Sequence, residues 1–451
     1  MSALHYHSSV NRFLPLLAVL LSCLPTTALS NTGDALPDRP AINSKWSHSD
    51  RSKLRRLSLK EPLTAPDSPS NRYADDPAAA ALGKKLFFDV RLSGDGTQSC
   101  ASCHKPELDF SDGHAIATGT KLTLRNAPGL LGTANYKWWY WDGRADSLWS
   151  QALIPLEAPD EMASSRAAVL KIFSTDNELV DAYKALFGAL PNQAVIDELP
   201  TQAGPLGDLK TRTAWYRIDE EHRAAINRFY ANIGKAIAAY ERTLQLPISR
   251  FDQFAQLILR QPVMEAGSST VSTDLYSNEE IFGLRLYLDD DKTHCRNCHN
   301  GKLLSNSEFY DVGSAQLSGR HTDHGRSLGL AAAKRSEFNC MSDYSDVEPT
   351  ARHRDCRLMR IHDSDENILA MGAFKTPTLR RVKNTAPYFH NGSLETLEDV
   401  VRHYQQLDMS AESGQRQIGR DIAREKEKHQ LPPMNLSEDE ISALIAFLNT
   451  L

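Results

Sequence analysis

The sequence predicts a mainly α-helical fold built from two similar modules, and three observations carry that prediction. Apolar residues recur at helical spacing in the long segments, as in "HRAAINRFYANIGKAIAAYERTL" (222–244), where Ile226, Phe229, Ile233, Ile237 and Tyr240 share one face. No long segment alternates convincingly as a strand would. One order of parts also occurs twice: "LGKKLFFDVRLSGDGTQSCASCH" (82–104) and "FGLRLYLDDDKTHCRNCH" (282–299) each run from a helix-like stretch through a polar loop to C-x-x-C-H. Duplication is the economical reading.

Taken from the N-terminus, Arg12 precedes the apolar run "FLPLLAVLLSCL" (13–24), which is too short to span a bilayer. Small residues in "TTALSN" then offer cleavage near Ala28 or Ser30, so residues 1–30 read as a signal peptide of an exported, periplasmic protein. A lipid anchor at Cys23 is the alternative, although Leu21 before Ser22 fits that pattern poorly. Residues 31–75 are rich in Pro, Ser, Asp and Arg without apolar period, which predicts a flexible leader. A domain over 76–265 and a second over 266–451 follow. Ser277 with Glu280, and Ser437 with Glu440, are capping boxes that open helices, the last burying Ile441, Leu444, Ile445 and Leu448. No later apolar run reaches transmembrane length.

The chain of 451 residues, 41% hydrophobic, suffices for two or three domains. Its net charge of −6 comes with no cluster of Lys or Arg, which sets nucleic-acid binding aside. Of seven cysteines, four form C-x-x-C pairs; in an oxidising compartment Cys340 and Cys356 are expected to close a disulfide across a polar loop.

Cys100, Cys103 and His104, like Cys295, Cys298 and His299, place two thiols one helical turn apart beside an imidazole. Two thioethers can hold a haem edge while the histidine reaches the iron. A zinc ribbon would bring its pairs within about 20 residues, whereas Cys103 and Cys295 lie 192 positions apart. A thioredoxin-like pair needs a βαβ setting that is absent. Two covalently bound c-type haems follow, in an electron carrier or in an enzyme that leaves one axial position open beside an acid/base group.

The stretch "RNAPGLLGTANYKWWYWDGRADSLWSQALIPLEAPDEM" (125–162) and the run "FKTPTLRRVKNTAPYFHNG" (374–392) resemble the bacterial di-haem cytochrome c peroxidase and MauG family over about residues 75–451. The resemblance implies two cytochrome c-like haem domains packed against each other, with the peroxidatic haem in 76–265 and the electron-transfer haem in 266–451. It implies a distal Gln151 and Glu161, ten residues apart, and Trp141 between the haems. A carboxylate in a partly dry pocket suits the proton transfer that peroxide cleavage needs. A calcium ion held by Asn126, Thr385 and Pro387 is implied as well.

Two positions depart from the peroxidases. The loop histidine that closes the first iron falls on Thr118 here, with His114 misplaced by four, so the first haem is expected to be open at rest. On the second iron the ungapped alignment of "APYFHNGSLETLEDVVRHY" lands on Tyr404, as in MauG, whereas a methionine ligand at Met409 would require a five-residue insertion. An anionic phenolate favours oxidised iron, whereas neutral thioether raises the potential. The expected function is peroxide reduction with electrons from a small cytochrome c or cupredoxin. A MauG-like oxidase modifying a substrate protein, through surface tryptophans such as Trp138 or Trp139, is the alternative, and a plain electron carrier the third reading. A homodimer is left open.

Overall fold

The structure, a computed structural model, describes residues 46–261, 275–314, 323–361, 371–406 and 434–451. The signal segment with Cys23, and Met409, lie outside the described residues. Pro40–Leu451 form one compact unit. It is mainly helical; the short strands Phe309–Tyr310 and Phe374–Lys375 pair antiparallel, with Phe309 opposite Lys375 and Tyr310 opposite Phe374. Among the described residues no helix is long and apolar enough to cross a membrane.

The helix Pro77–Phe88 starts where Asp76 accepts from the Ala78 and Ala79 N–H groups and Pro77 occupies the first turn, where its missing donor costs nothing. It crosses the long helix Glu220–Glu241 at Gly83. A Cβ there would lie 2.5 Å from the Ala236 carbonyl carbon and 2.9 Å from the Ile237 nitrogen, so only glycine permits the crossing. Leu86, Phe87, Trp149, Phe229, Tyr230 and Ile233 fill the core this creates.

The second module repeats the device. The helix Asn278–Leu288, opened by the Ser277–Glu280 capping box, meets Glu438–Leu448 at Gly283, where a Cβ would lie 2.5 Å from the Ala443 carbonyl carbon. Gly83-x-x-Leu86-Phe87 and Gly283-x-x-Leu286-Tyr287 occupy matching positions of the two repeats. The duplicated sequence therefore encodes a duplicated helix crossing.

Two expected boundaries shift. The leader expected over 31–75 holds a helix, His48–Leu57, within its described part; Leu54 and Leu57 are buried in the second module's core with Phe251, Phe254 and Phe447. Polar composition concealed it, because only two apolar residues, Leu54 and Leu57, dock it, among charged residues of which Arg51 is itself buried. The helix Arg250–Arg260, assigned by position to the first domain, packs in the same second core. A buried ion pair pins the arrangement: Arg380 and Asp252 meet at 2.6 Å, both essentially inaccessible. Arg380 also donates to the Leu57 and Lys302 carbonyls, and Asp252 accepts from the Leu59 N–H.

Cys340 and Cys356 are bonded, with their Cα atoms 5.5 Å apart, and close a loop that docks on the first module. Asp146 accepts from the Cys340 N–H at 2.9 Å, and Lys235 pairs with Asp346 at 2.9 Å. Phe338, just before this loop, lies in the first core.

Candidate functional site

Each C-x-x-C-H motif closes a single turn. The His104 N–H donates to the Cys100 carbonyl and the His299 N–H to the Cys295 carbonyl, both at 2.9 Å. The rings are then oriented alike: His104 Nδ1 lies 2.9 Å from the Phe110 carbonyl and His299 Nδ1 3.1 Å from the Leu304 carbonyl. A carbonyl only accepts, so Nδ1 carries the proton and Nε2 presents its lone pair, the tautomer a metal ligand requires. Phe110 and Leu304 both adopt left-handed backbone, φ 61° and 51°, which aims their carbonyls at the imidazoles. Such geometry costs a non-glycine residue about 1–2 kcal/mol, and both repeats keep it. Burial holds both rings neutral, lowering His299 to about 4.

One cavity, walled mostly by apolar side chains, reaches from His104 and Gln151 past Trp141 to His299 and Tyr404. The four C-x-x-C thiols are unpaired. Unpaired thiols one turn apart, a neutral imidazole with Nε2 available and an apolar cavity beyond it fit a covalently held porphyrin at each motif.

Gln151 sits on the helix Leu148–Glu157, and its Oε1 is buried without a hydrogen-bond partner. Such an atom is costly unless a bound molecule satisfies it. Glu161 follows just beyond the helix end, half-buried, with Arg144 Nη2 3.9 Å from its Oε1. Burial raises the Glu161 carboxyl above its ordinary range, and Arg144 opposes that shift. Arg144 in turn lies over the Tyr140 ring at 3.6 Å. The Thr120 N–H donates to the Glu161 carbonyl at 2.7 Å, and Gly119 packs on the same residue. Thr118 and His114, in the loop before these, are exposed; the His114 carbonyl accepts from Asn126 Nδ2.

Trp141 joins the modules. Its indole N–H donates to the Asn126 carbonyl at 3.0 Å, and its own carbonyl accepts from the Lys375 N–H at 2.7 Å. The Asn126 N–H donates to the His390 carbonyl. Asn126, Thr385 and Pro387 line the same cavity, and Asn126 Nδ2 donates to the His114 carbonyl. On the helix Leu397–Gln406, His403 is turned away to the Val312 carbonyl, whereas Tyr404 faces the cavity among the second core's residues. Burial pushes the Tyr404 hydroxyl upward.

Trp138 and Trp139 are not surface residues. Trp138 is buried under the Arg326 guanidinium, 4.1 Å from its ring, and Trp139 is half-buried against the first core. A bridge between Trp139 and Ala145 turns this part of the chain back on itself. Three residues of the site, Arg144, Lys375 and His390, lie within the two runs that carry the resemblance but were assigned no role from the sequence. The His390 ring is buried, stacks on Phe374 at 3.5 Å and has no hydrogen-bond partner at either nitrogen.

Residues 77–257 match the family model for di-haem cytochrome c peroxidase. The cytochrome-c peroxidase IdrP1 of Denitromonas iodatirespirans is 31% identical over 399 residues, spanning 87% of either chain. The methylamine utilization protein MauG of Methylorubrum extorquens is 28% identical over 89% of this chain and 86% of its own. Among solved structures, the di-haem peroxidase BthA of Burkholderia thailandensis superposes with a TM-score of 0.56 at 22% identity, covering 88% of this chain and 92% of that one. A likeness of that degree establishes the shared fold.

Proposed function

The chain belongs to the di-haem cytochrome c peroxidase family, and from that premise we propose that it is a periplasmic peroxidase reducing hydrogen peroxide with electrons from a small cytochrome c or cupredoxin. It is a di-haem oxidoreductase by family, and the cysteines proposed to carry the haems are Cys100 with Cys103 and Cys295 with Cys298. His104 would bind the first iron, and His299 and Tyr404 would bind the second. Asn126, Thr385 and Pro387 would hold a calcium ion where the modules meet.

One observation carries the reading: Gln151, whose side-chain oxygen is buried without a hydrogen-bond partner, lines the same cavity as His104, and Glu161 follows beyond the end of its helix beside Arg144. A plain electron carrier has no use for a costly unsatisfied amide beside its iron. When bound, the first haem supplies the electrons that split the oxygen–oxygen bond. The protein's part is to hold peroxide and move its proton. Gln151 Oε1 accepts a hydrogen bond from a peroxide hydroxyl. The Glu161 carboxylate takes the proton from one peroxide oxygen and returns it to the other, and two electrons with two protons complete the conversion to two waters. Arg144 keeps Glu161 ionisable against its burial. Trp141, bonded to both modules, spans the route electrons would take between the irons.

Tyr404 favours a second reading within the same chemistry, a MauG-like oxidase that draws its electrons from a partner protein. Steady-state peroxide consumption by the di-haem protein, driven by reduced small cytochrome c, separates the two. Loss of the general base in Glu161→Gln should slow peroxide reaction by about 10²–10⁴-fold. Unchanged peroxide reactivity in that variant would sink both readings in favour of an electron carrier.

A further inference from the structure

We infer that Lys375 is the countercharge for a carboxylate of the bound cofactor, a haem propionate. The inference rests on the reading that the cavity holds haem. Lys375 ends the short strand Phe374–Lys375, and its backbone is fixed by the Trp141 carbonyl on one side and the Phe309 pairing on the other. Its side chain is buried and lines the cavity, with Nζ 4.1 Å from the centre of the Tyr136 ring.

What that ammonium lacks is an anion. The other cations lining the cavity have one each: Arg380 pairs with Asp252, and Arg381 with Asp109. Asp109, the carboxylate of the cavity wall, is committed to Arg381 and Asn384. Glu308, just before the strand that pairs with Lys375, reaches outward to Lys137. The imidazoles of the lining, His104, His294, His299 and His390, offer Lys375 no negative charge, and burial holds His390 neutral. Among the described residues no carboxylate meets Lys375, and burial alone lowers its ammonium to about 8. A ring face offsets only part of the cost of removing an ammonium from water. A methionine would fill the same space without that cost, so the charge implies an anionic partner inside the cavity. The anionic groups that a c-type haem brings into an apolar cavity are its propionates, and an ion pair there would hold a propionate ionised and the ferrous state more accessible.

The test uses the di-haem protein, with haems counted as pyridine haemochromes and both midpoints followed optically across the neutral pH range. Wild type should show midpoints that change little with pH. In Lys375→Met, one haem should shift toward ferric by at least tenfold in its ferric/ferrous equilibrium at the alkaline end, about 59 mV for one electron. The shift should fade toward acid as the unpaired propionate takes up a proton, and Lys375→Arg should restore the wild-type profile. Two bound haems with both profiles unmoved would overturn the assignment of Lys375 alone, whereas wild-type protein without covalent haem would overturn the cofactor reading with it. Infrared spectra of wild type carrying carbon-13 haem carboxylates give a readout that needs no variant. One propionate should stay ionised at a pH where the others protonate; all titrating together would refute the pairing.

Discussion

Replacing Gly83 by alanine sets two effects of opposite sign against each other. In an ordinary helix the change stabilises, by about 1 kcal/mol of backbone propensity. Here the new Cβ would lie 2.5 Å from the Ala236 carbonyl carbon and 2.9 Å from the Ile237 nitrogen, against 3.4–4 Å for ordinary contact. Both partners are main chain of the helix Glu220–Glu241, so no side chain can swing aside. The two helices must part by about 1 Å, a gap that forfeits a quarter to a half of each dispersion contact along the seam. Overpacking of this kind costs about 3 kcal/mol, the upper part of the usual span. The net loss is then about 2 kcal/mol, or about 4–8 °C in Tm for a module of this size. Thermal and denaturant unfolding of the haem-loaded protein, followed by far-ultraviolet dichroism, would measure it. Gly283→Ala should behave alike, because the Ala443 carbonyl and Phe447 Cβ crowd that position. A Gly83→Ala protein as stable as wild type, or more so, would refute the claim that glycine sets the helix spacing.

Asp252→Asn leaves the Arg380 guanidinium buried without its carboxylate and should cost about 3–5 kcal/mol, read as a lowered denaturant midpoint; a change under about 1 kcal/mol would mean that water reaches the pair. Glu161 titrates above its ordinary value of 4.5 because it is partly buried. Its stabilising contribution is therefore complete below that value and is lost as the pH rises through the folded-state pKa. Glu161→Gln should be at least as stable as wild type at neutral pH and lose that advantage in acid, while abolishing the acid limb of peroxide turnover. A variant weaker than wild type at neutral pH would contradict the burial argument. Tyr404→Met should raise the midpoint of one haem, since a thioether favours ferrous iron where a phenolate does not; an optical redox titration with both midpoints unchanged would remove Tyr404 from the iron.

The helical class, the repeat and the residues around both C-x-x-C-H motifs were legible because each is local: periodicity, caps and fixed spacing survive without knowledge of what lies opposite. Gly83 and Gly283 stood in plain view in the two repeats, yet their role depends on Ala236 and Ala443, far away in the chain. The helix His48–Leu57 was missed for a related reason. Its few apolar residues match a groove made by Phe251, Phe254 and Phe447, and composition averaged over residues 31–75 hides so narrow a stripe. Lys375 and His390 were invisible as site residues because a lysine in "FKTP" and a histidine in "YFHNG" read as ordinary polar positions until their burial is known. The tryptophans at 138 and 139 failed in the other direction: read as surface residues, they are buried and half-buried.

The two cores differ in how much of the chain each must wait for. The first draws mainly on residues 82–240, so most of it can close while the rest of the polypeptide is still emerging. The second joins Leu54 and Leu57 to Leu436, Phe447 and Leu451, the two far ends of the described chain. Until the last turn has arrived, the early helix has only the helix Arg250–Arg260 to dock on, and the core around it stays unfinished. Vectorial delivery of this protein therefore imposes a sequence of completion, first cup before second, and a truncation of a dozen residues at the C-terminus would remove one wall of a core that begins almost four hundred positions upstream.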